Sequence, residues 1–109
     1  MAYDEKLATR VRLALAAALA TEKKMMGGLC FMVRGHMCCG VEKQRLMVRV
    51  GPQAYERALN LKHVAPMDFT GRPMRGFVYV LPAGVAHQRG VDAWVRRGLE
   101  FVASLPAKQ

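Results

Sequence analysis

The run Met25-Met26-Gly27-Gly28-Leu29-Cys30-Phe31-Met32-Val33-Arg34-Gly35-His36-Met37-Cys38-Cys39-Gly40-Val41-Glu42-Lys43-Gln44-Arg45-Leu46-Met47-Val48-Arg49-Val50 decides the fold class. Two apolar stretches rich in strand formers flank Arg34-Gly35. A two-residue loop ending in glycine between such stretches signals a β-hairpin. Lys43-Gln44 makes a second turn, and the next six residues alternate: Leu46, Val48 and Val50 on one face, Arg45, Met47 and Arg49 on the other. A period of two with one apolar face describes a half-buried strand. The run therefore predicts a meander of three antiparallel strands, the first spanning residues 25–33.

Outward from this meander the pattern changes period. Upstream, Leu7, Val11, Leu15 and Leu19 recur every four residues beside Ala14 and Ala18, which predicts an amphipathic helix capped by Asp4. Downstream, Gly51-Pro52 ends the third strand and opens a short helix over about residues 53–59, with proline at its first position. Val64 to Phe69 predicts a strand that Pro66 confines to a sheet edge. Thr70-Gly71-Arg72-Pro73 is a turn by composition, Met74 to Val80 a fifth strand. The last helix is expected from about Val91 to Leu105, its stripe made by Val91, Trp94, Val95, Gly98, Val102 and Leu105. The expected order is α-β-β-β-α-β-β-α, an α+β domain with helices packed on one face of an antiparallel sheet. At 109 residues the chain is one domain, 1–109, without repeat or linker.

Composition sets limits on function. The chain is 52% hydrophobic and 23% charged, which suits folding around a core and does not suit disorder. Its formal charge of +9 attracts polyanions, although the basic residues are spread along the chain with no long run. No stretch approaches the length of a membrane span, and the apolar segment 11–20 lacks the surroundings of a signal peptide. A cytoplasmic protein with no membrane partner is expected. Three cysteines, Cys30, Cys38 and Cys39, are an odd number and argue against a secreted disulfide scaffold.

The residues that could carry chemistry are few. With Arg34-Gly35 at the turn, Cys30 opposes Cys39 at a non-hydrogen-bonded position, where a cross-strand disulfide is conceivable and a redox pair is the candidate role. Adjacent Cys38 and Cys39 point to opposite faces of a regular strand, so they share a metal ion only across a bulge. No metal site and no cofactor are expected. The sole serine, Ser104, ends a helix outside any nucleophile motif, and the eight acidic residues suggest no catalytic pair. Gly27-Gly28 opens a strand and lacks the lysine and hydroxyl of a phosphate loop. What remains is a set of exposed cations, Lys24, Arg45, Arg49, Arg72 and Arg75, with Met47 between Arg45 and Arg49. Arginine with methionine is the composition of an interface.

Several phrases carry a resemblance: Glu22-Lys23-Lys24-Met25 with Gly27-Gly28; Phe31-Met32-Val33 before Gly35; Cys39-Gly40-Val41; Leu46-Met47-Val48-Arg49-Val50-Gly51-Pro52; and Pro66-Met67-Asp68-Phe69-Thr70-Gly71-Arg72-Pro73-Met74 followed by Gly76-Phe77-Val78-Tyr79-Val80. Together they resemble the amino-terminal domain of the TfoX/Sxy family, from Ala2 to Leu105, with Met26 and Cys38 departing from the family pattern. The resemblance implies a fold of the secretion-chaperone type and a regulatory role, since the namesakes promote natural competence with a transcriptional activator. It supplies no catalytic residues. The namesakes also carry a carboxy-terminal domain resembling helical DNA-binding modules, which these residues do not include, so a stand-alone domain is expected.

The leading expectation is thus a non-enzymatic module that binds a protein partner or the transcription machinery. A homodimer would form through apolar strips near Met47 or on the last helix. The alternative is direct nucleic-acid binding through the basic surface, and the third reading is a thiol-redox protein using Cys30 and Cys39.

Overall fold

The computed structural model describes residues 3–25, 27–69 and 71–107, which form three α-helices and six strands. In chain order these are α1 (Glu5–Ala14), β1 (Thr21–Met25), β2 (Gly28–Val33), β3 (His36–Glu42), β4 (Arg45–Arg49), α2 (Tyr55–Leu59), β5 (Val64–Phe69), β6 (Arg72–Val80) and α3 (Gln88–Ala103). The strands make one antiparallel sheet in the order β1-β2-β3-β4-β6-β5. This is the α+β class expected, with one more strand.

The extra strand comes from a turn inside what reads as a single run. Gly27 takes a φ of 75°, open to glycine at little cost, and reverses the chain so that 21–25 pairs back onto 28–32. The segment Thr21-Glu22-Lys23-Lys24 gave no sign of this because it alternates nothing: all five residues of β1 are exposed. Leu19, expected in the stripe of the first helix, lies beyond it. α1 ends at Ala14, and Leu19 is 90% exposed in a left-handed conformation, φ 54°. Asp4 caps α1 as expected, accepting from the Lys6 amide at 3.1 Å.

All three helices lie on one face. Leu7, Ala8 and Val11 of α1, Tyr55 and Ala58 of α2, and Val91, Trp94, Val95 and Val102 of α3 join one core with Phe31, Val41, Leu46, Val48, Val78 and Val80 of the sheet. The last helix begins a turn earlier than expected and stops before Leu105, while the stripe from Val91 to Val102 is buried as its periodicity predicts. Gly98 in that stripe lets α3 touch β3: a Cβ there would stand 2.8 Å from the Cys38 carbonyl oxygen. The tip of the β2–β3 hairpin holds the far end of α3. Arg34 Nη1 donates to the carbonyls of Val102 and Ala103, each at 3.3 Å, and His36 Nε2 to that of Pro106 at 2.6 Å.

Two irregularities decide which side chains share a face. In β3, Met37 pairs with Met32 and Cys39 with Phe31, so Cys38 is an extra residue in a bulge. At the end of β4, the amides of Val50 and Gly51 both donate to the Gly76 carbonyl, at 2.8 and 3.0 Å. Gly76, at φ 95°, breaks the alternation of β6, which brings Met74 and Phe77 to one side and turns Arg75 to the other. β5 is an edge strand, as its proline predicts.

Candidate interaction surface

The face of the sheet away from the helices carries a second apolar cluster, built by strands alone. Cys30 of β2, Met37 of β3, Met47 of β4, Met67 of β5 and Tyr79 of β6 are buried in it, ringed by Met32, Ala65, Met74 and Phe77. Five of the chain's eight methionines stand on this face. Thioether side chains are unbranched and polarizable, so such a floor adapts its shape at low cost.

Met47, with no helix above it, is nevertheless fully buried. It pairs with Gly40 on one side and Tyr79 on the other, and its Cε lies where a side chain on Gly40 would stand, 2.6 Å from such a Cβ. The methionine thus lies flat across the sheet. Arg45 roofs its neighbour: the guanidinium carbon is 3.7 Å from the Tyr79 ring centroid, while Nε donates to Glu42 Oε1 at 2.7 Å. Stacking and ion pair together fix a side chain that is normally mobile. Burial, and then the Glu42 charge, push the Tyr79 phenol above its usual range, whereas Arg45 opposes them.

Arg49 closes the other end of β4. Its guanidinium carbon is 5.3 Å from the Phe77 ring and 5.4 Å from that of Phe101 on α3. Beyond it a cleft of about 460 Å³ opens between Val50–Ala54 and the α3 residues Arg97, Glu100, Phe101 and Ser104.

The six residues singled out from the sequence do not converge. Arg45, Met47 and Arg49 share the helix-free face as their alternation predicts, but Met47 is floor and offers a partner nothing directly. Lys24 pairs with Leu29 and so stands on the helix side of β1, whereas Lys23 pairs with Cys30 and stands on the helix-free side. Arg75 faces α2, where Nη1 meets Glu56 Oε1 at 3.3 Å and the guanidinium lies 5.7 Å from the Tyr55 ring. Arg72 sits exposed at the β5–β6 turn, opposite Phe69. The strips expected to serve a homodimer, near Met47 and along the last helix, are spent inside the chain's own two cores.

The cysteine expectation needs correction as well. Cys30 pairs with Gly40 and Cys39 with Phe31, because the bulge at Cys38 shifts the register by one. Cys30 consequently belongs to the helix-free cluster and Cys39 to the helix-covered core, on opposite sides of the sheet. Cys30 and Cys39 cannot form the redox pair. The same bulge turns Cys38 and Cys39 to one side, where each thiol acts on the other: its neighbour and burial hold Cys39 up, while its neighbour lowers Cys38. All three thiols are free and buried, and burial also raises Cys30. Among the described residues no three His, Cys, Asp or Glu side chains are grouped to hold a metal ion, and no helix is long and apolar enough to cross a membrane.

Tyr79, Phe77, Met67 and Lys23 were not singled out from the sequence. The alternation of Phe77 and Tyr79 against Val78 and Val80 held the signal for two of them.

Fold and surface together define a class: a small α+β domain whose antiparallel sheet has one helix-covered face and one helix-free face, the latter apolar and topped by stacked arginines. The chain belongs to the TfoX N-terminal domain family, whose family model matches residues 12–102. The match takes in every strand and most of α3, in agreement with the resemblance read from the sequence. Neither curated proteins nor solved structures yield a match.

Proposed function

We propose that the chain is a non-enzymatic regulatory module that works in the cytoplasm, as competence-related regulators of the TfoX type do, by holding a protein partner on its helix-free sheet face. The observation that carries this reading is Arg45 stacked on Tyr79 above the methionine floor. Arginine, methionine and aromatic side chains are the groups enriched where protein interfaces are energetically important. An arginine already held by Glu42 and a ring has surrendered part of its freedom before a partner arrives, so less entropy is lost on binding. The partner's matching patch is apolar with acidic groups, since the chain carries +9.

The test is affinity capture from the native host after nuclease treatment, comparing the wild-type chain with Arg45→Glu/Arg49→Glu. A protein retained by the first and lost by the second supports the reading; equal retention by both contradicts it.

The charge of +9 favours a second reading, direct binding of nucleic acid. Under it, affinity for DNA or RNA falls steeply with salt and weakens with Arg45→Glu or Arg49→Glu. Absence of a mobility shift at low salt removes it.

A further inference from the structure

The two ends of the sheet differ in their capacity to take on another strand. At one end, β5 contains Pro66, which has no amide to donate, and a register shift between Pro66 and Asp68. Both features resist addition. At the other end, β1 has one neighbour, β2, and runs regularly from Thr21 to Met25 with every residue exposed. Its outer row of main-chain groups faces solvent.

The surroundings of β1 are unusual for a free edge. Leu13 is 64% exposed, Leu19 90% and Met25 37%, so among the described residues three of the five large exposed hydrophobic side chains lie within 13–25. Leu19 is held there in a left-handed conformation that a branched side chain enters at a cost. Leu19 also lines a cleft with Arg12, Leu15, Ala16, Ala20, Glu22 and Phe31, on the helix side of the same edge.

Charge specifies what can sit on this edge. Glu22, the strand's one acid, is already bonded to Arg12 by two contacts of 2.7 and 3.0 Å. Lys23 and Lys24 point to opposite sides of the sheet, and neither has an ion-pair partner among the described residues. A second copy of the chain paired antiparallel about the centre of β1 would set Lys23 against Lys23 and Lys24 against a Glu22 already held by Arg12, and each copy brings a charge of +9. Like charges directly opposite oppose pairing. An extended segment with acidic residues on both faces and apolar residues toward Leu19 meets no such obstacle.

We infer that β1 is a docking edge for an extended acidic segment of a partner protein, added as a seventh, edge-on strand. The lysines give it selectivity: they repel a second copy and attract a carboxylate on either face. The surface is separate from the helix-free face, so the two stand or fall independently.

The probe is an acetylated eight-residue peptide, Val-Glu-Glu-Val-Val-Glu-Glu-Val, which as a strand sets glutamates on both faces, with a lysine-for-glutamate peptide as control. The readout is amide chemical shifts and hydrogen exchange of the full chain. The acidic peptide is expected to shift and protect residues 21–25 and the basic peptide to leave them unchanged. Lys23→Glu/Lys24→Glu is expected to weaken the acidic peptide about tenfold or more and to gain binding of the basic one. Arg45→Glu/Arg49→Glu leaves both results as in the wild type. The inference is overturned if neither peptide perturbs β1, if preference does not reverse in the lysine variant, or if β1 becomes protected with rising protein concentration alone, which would make a second copy the occupant.

Discussion

Arg45 and Tyr79 form the most closely stacked cation–aromatic contact among the described residues, 3.7 Å from guanidinium carbon to ring centroid, across the junction of β4 and β6. The contact joins a half-buried charge to a buried floor. It ties the phenol to low-dielectric surroundings on one side and to Glu42 and Arg45 on the other.

A pH dependence follows from Tyr79. Its folded-state pKa lies above the ordinary 10.0, so the native state holds the phenolic proton more tightly than the unfolded state. That contribution is complete below pH 10.0 and is lost as pH rises through the folded value. Chemical denaturation repeated between pH 8 and pH 11 therefore shows stability falling at the alkaline end. Tyr79→Phe flattens this loss, and an unchanged slope contradicts the burial argument.

Met47 and Gly40 are expected to behave as one packing unit. Gly40→Ala forces the Met47 Cε aside and crowds the Leu29 carbonyl, 2.8 Å from the added carbon. Overpacking of this kind costs about 1–3 kcal/mol, and Met47→Ala costs about 2–5 kcal/mol by leaving a void. In a double-mutant cycle by urea unfolding, Gly40→Ala costs less in the Met47→Ala background than alone. Strict additivity would show that the methionine does not lie over the glycine.

Gly98 provides a contrast, because the obstacle there is main chain. A Cβ at 98 meets the Cys38 carbonyl oxygen at 2.8 Å and the Cys38 sulfur at 3.1 Å. Gly98→Ala is expected to destabilise by about 1–3 kcal/mol, and Cys38→Ala to relieve little of it. Trp94, the sole tryptophan, lies one turn away on α3 and reports the displacement through its fluorescence.

Thiol accessibility checks the register of β2 against β3. A bulky aromatic disulfide reagent is expected to label none of the three cysteines rapidly in the native chain and all three in denaturant. Native mass spectrometry after mild oxidation shows no bridge between Cys30 and Cys39. Such a bridge would require the two residues on one face, which the bulge at Cys38 forbids.

Much of this was legible in the residues because hydrophobic period reports burial directly. Leu46, Val48 and Val50 against Arg45, Met47 and Arg49 fixed β4 and its faces, Val91 to Val102 fixed the inner side of α3, and Pro66 fixed β5 as an edge. What escaped notice depends on single residues that alter register without altering pattern. Cys38 inserts into β3 with no polar mark of a bulge, so Cys30 seemed to face Cys39. Gly76 breaks the alternation of β6, so Arg75 goes to Glu56 and stands apart from Arg45 and Arg49. Lys23 and Lys24 hid β1, because an edge strand exposed on both sides has no apolar alternation to read. The candidate surface was half visible: its arginines showed in β4, while its floor is gathered from five strands and appears only when they are assembled.

The central claim is that the arginine-topped, helix-free face is where this module meets its partner. The most direct measurement is nuclease-treated affinity capture with the wild-type chain, Arg45→Glu/Arg49→Glu, and a control of equal charge, Arg89→Glu/Arg96→Glu, placed on the exposed side of α3. Loss of the captured protein in the first variant, with retention in the control, is the predicted result. Equal loss in both variants would reduce the interaction to net charge, and retention in both would place the partner elsewhere.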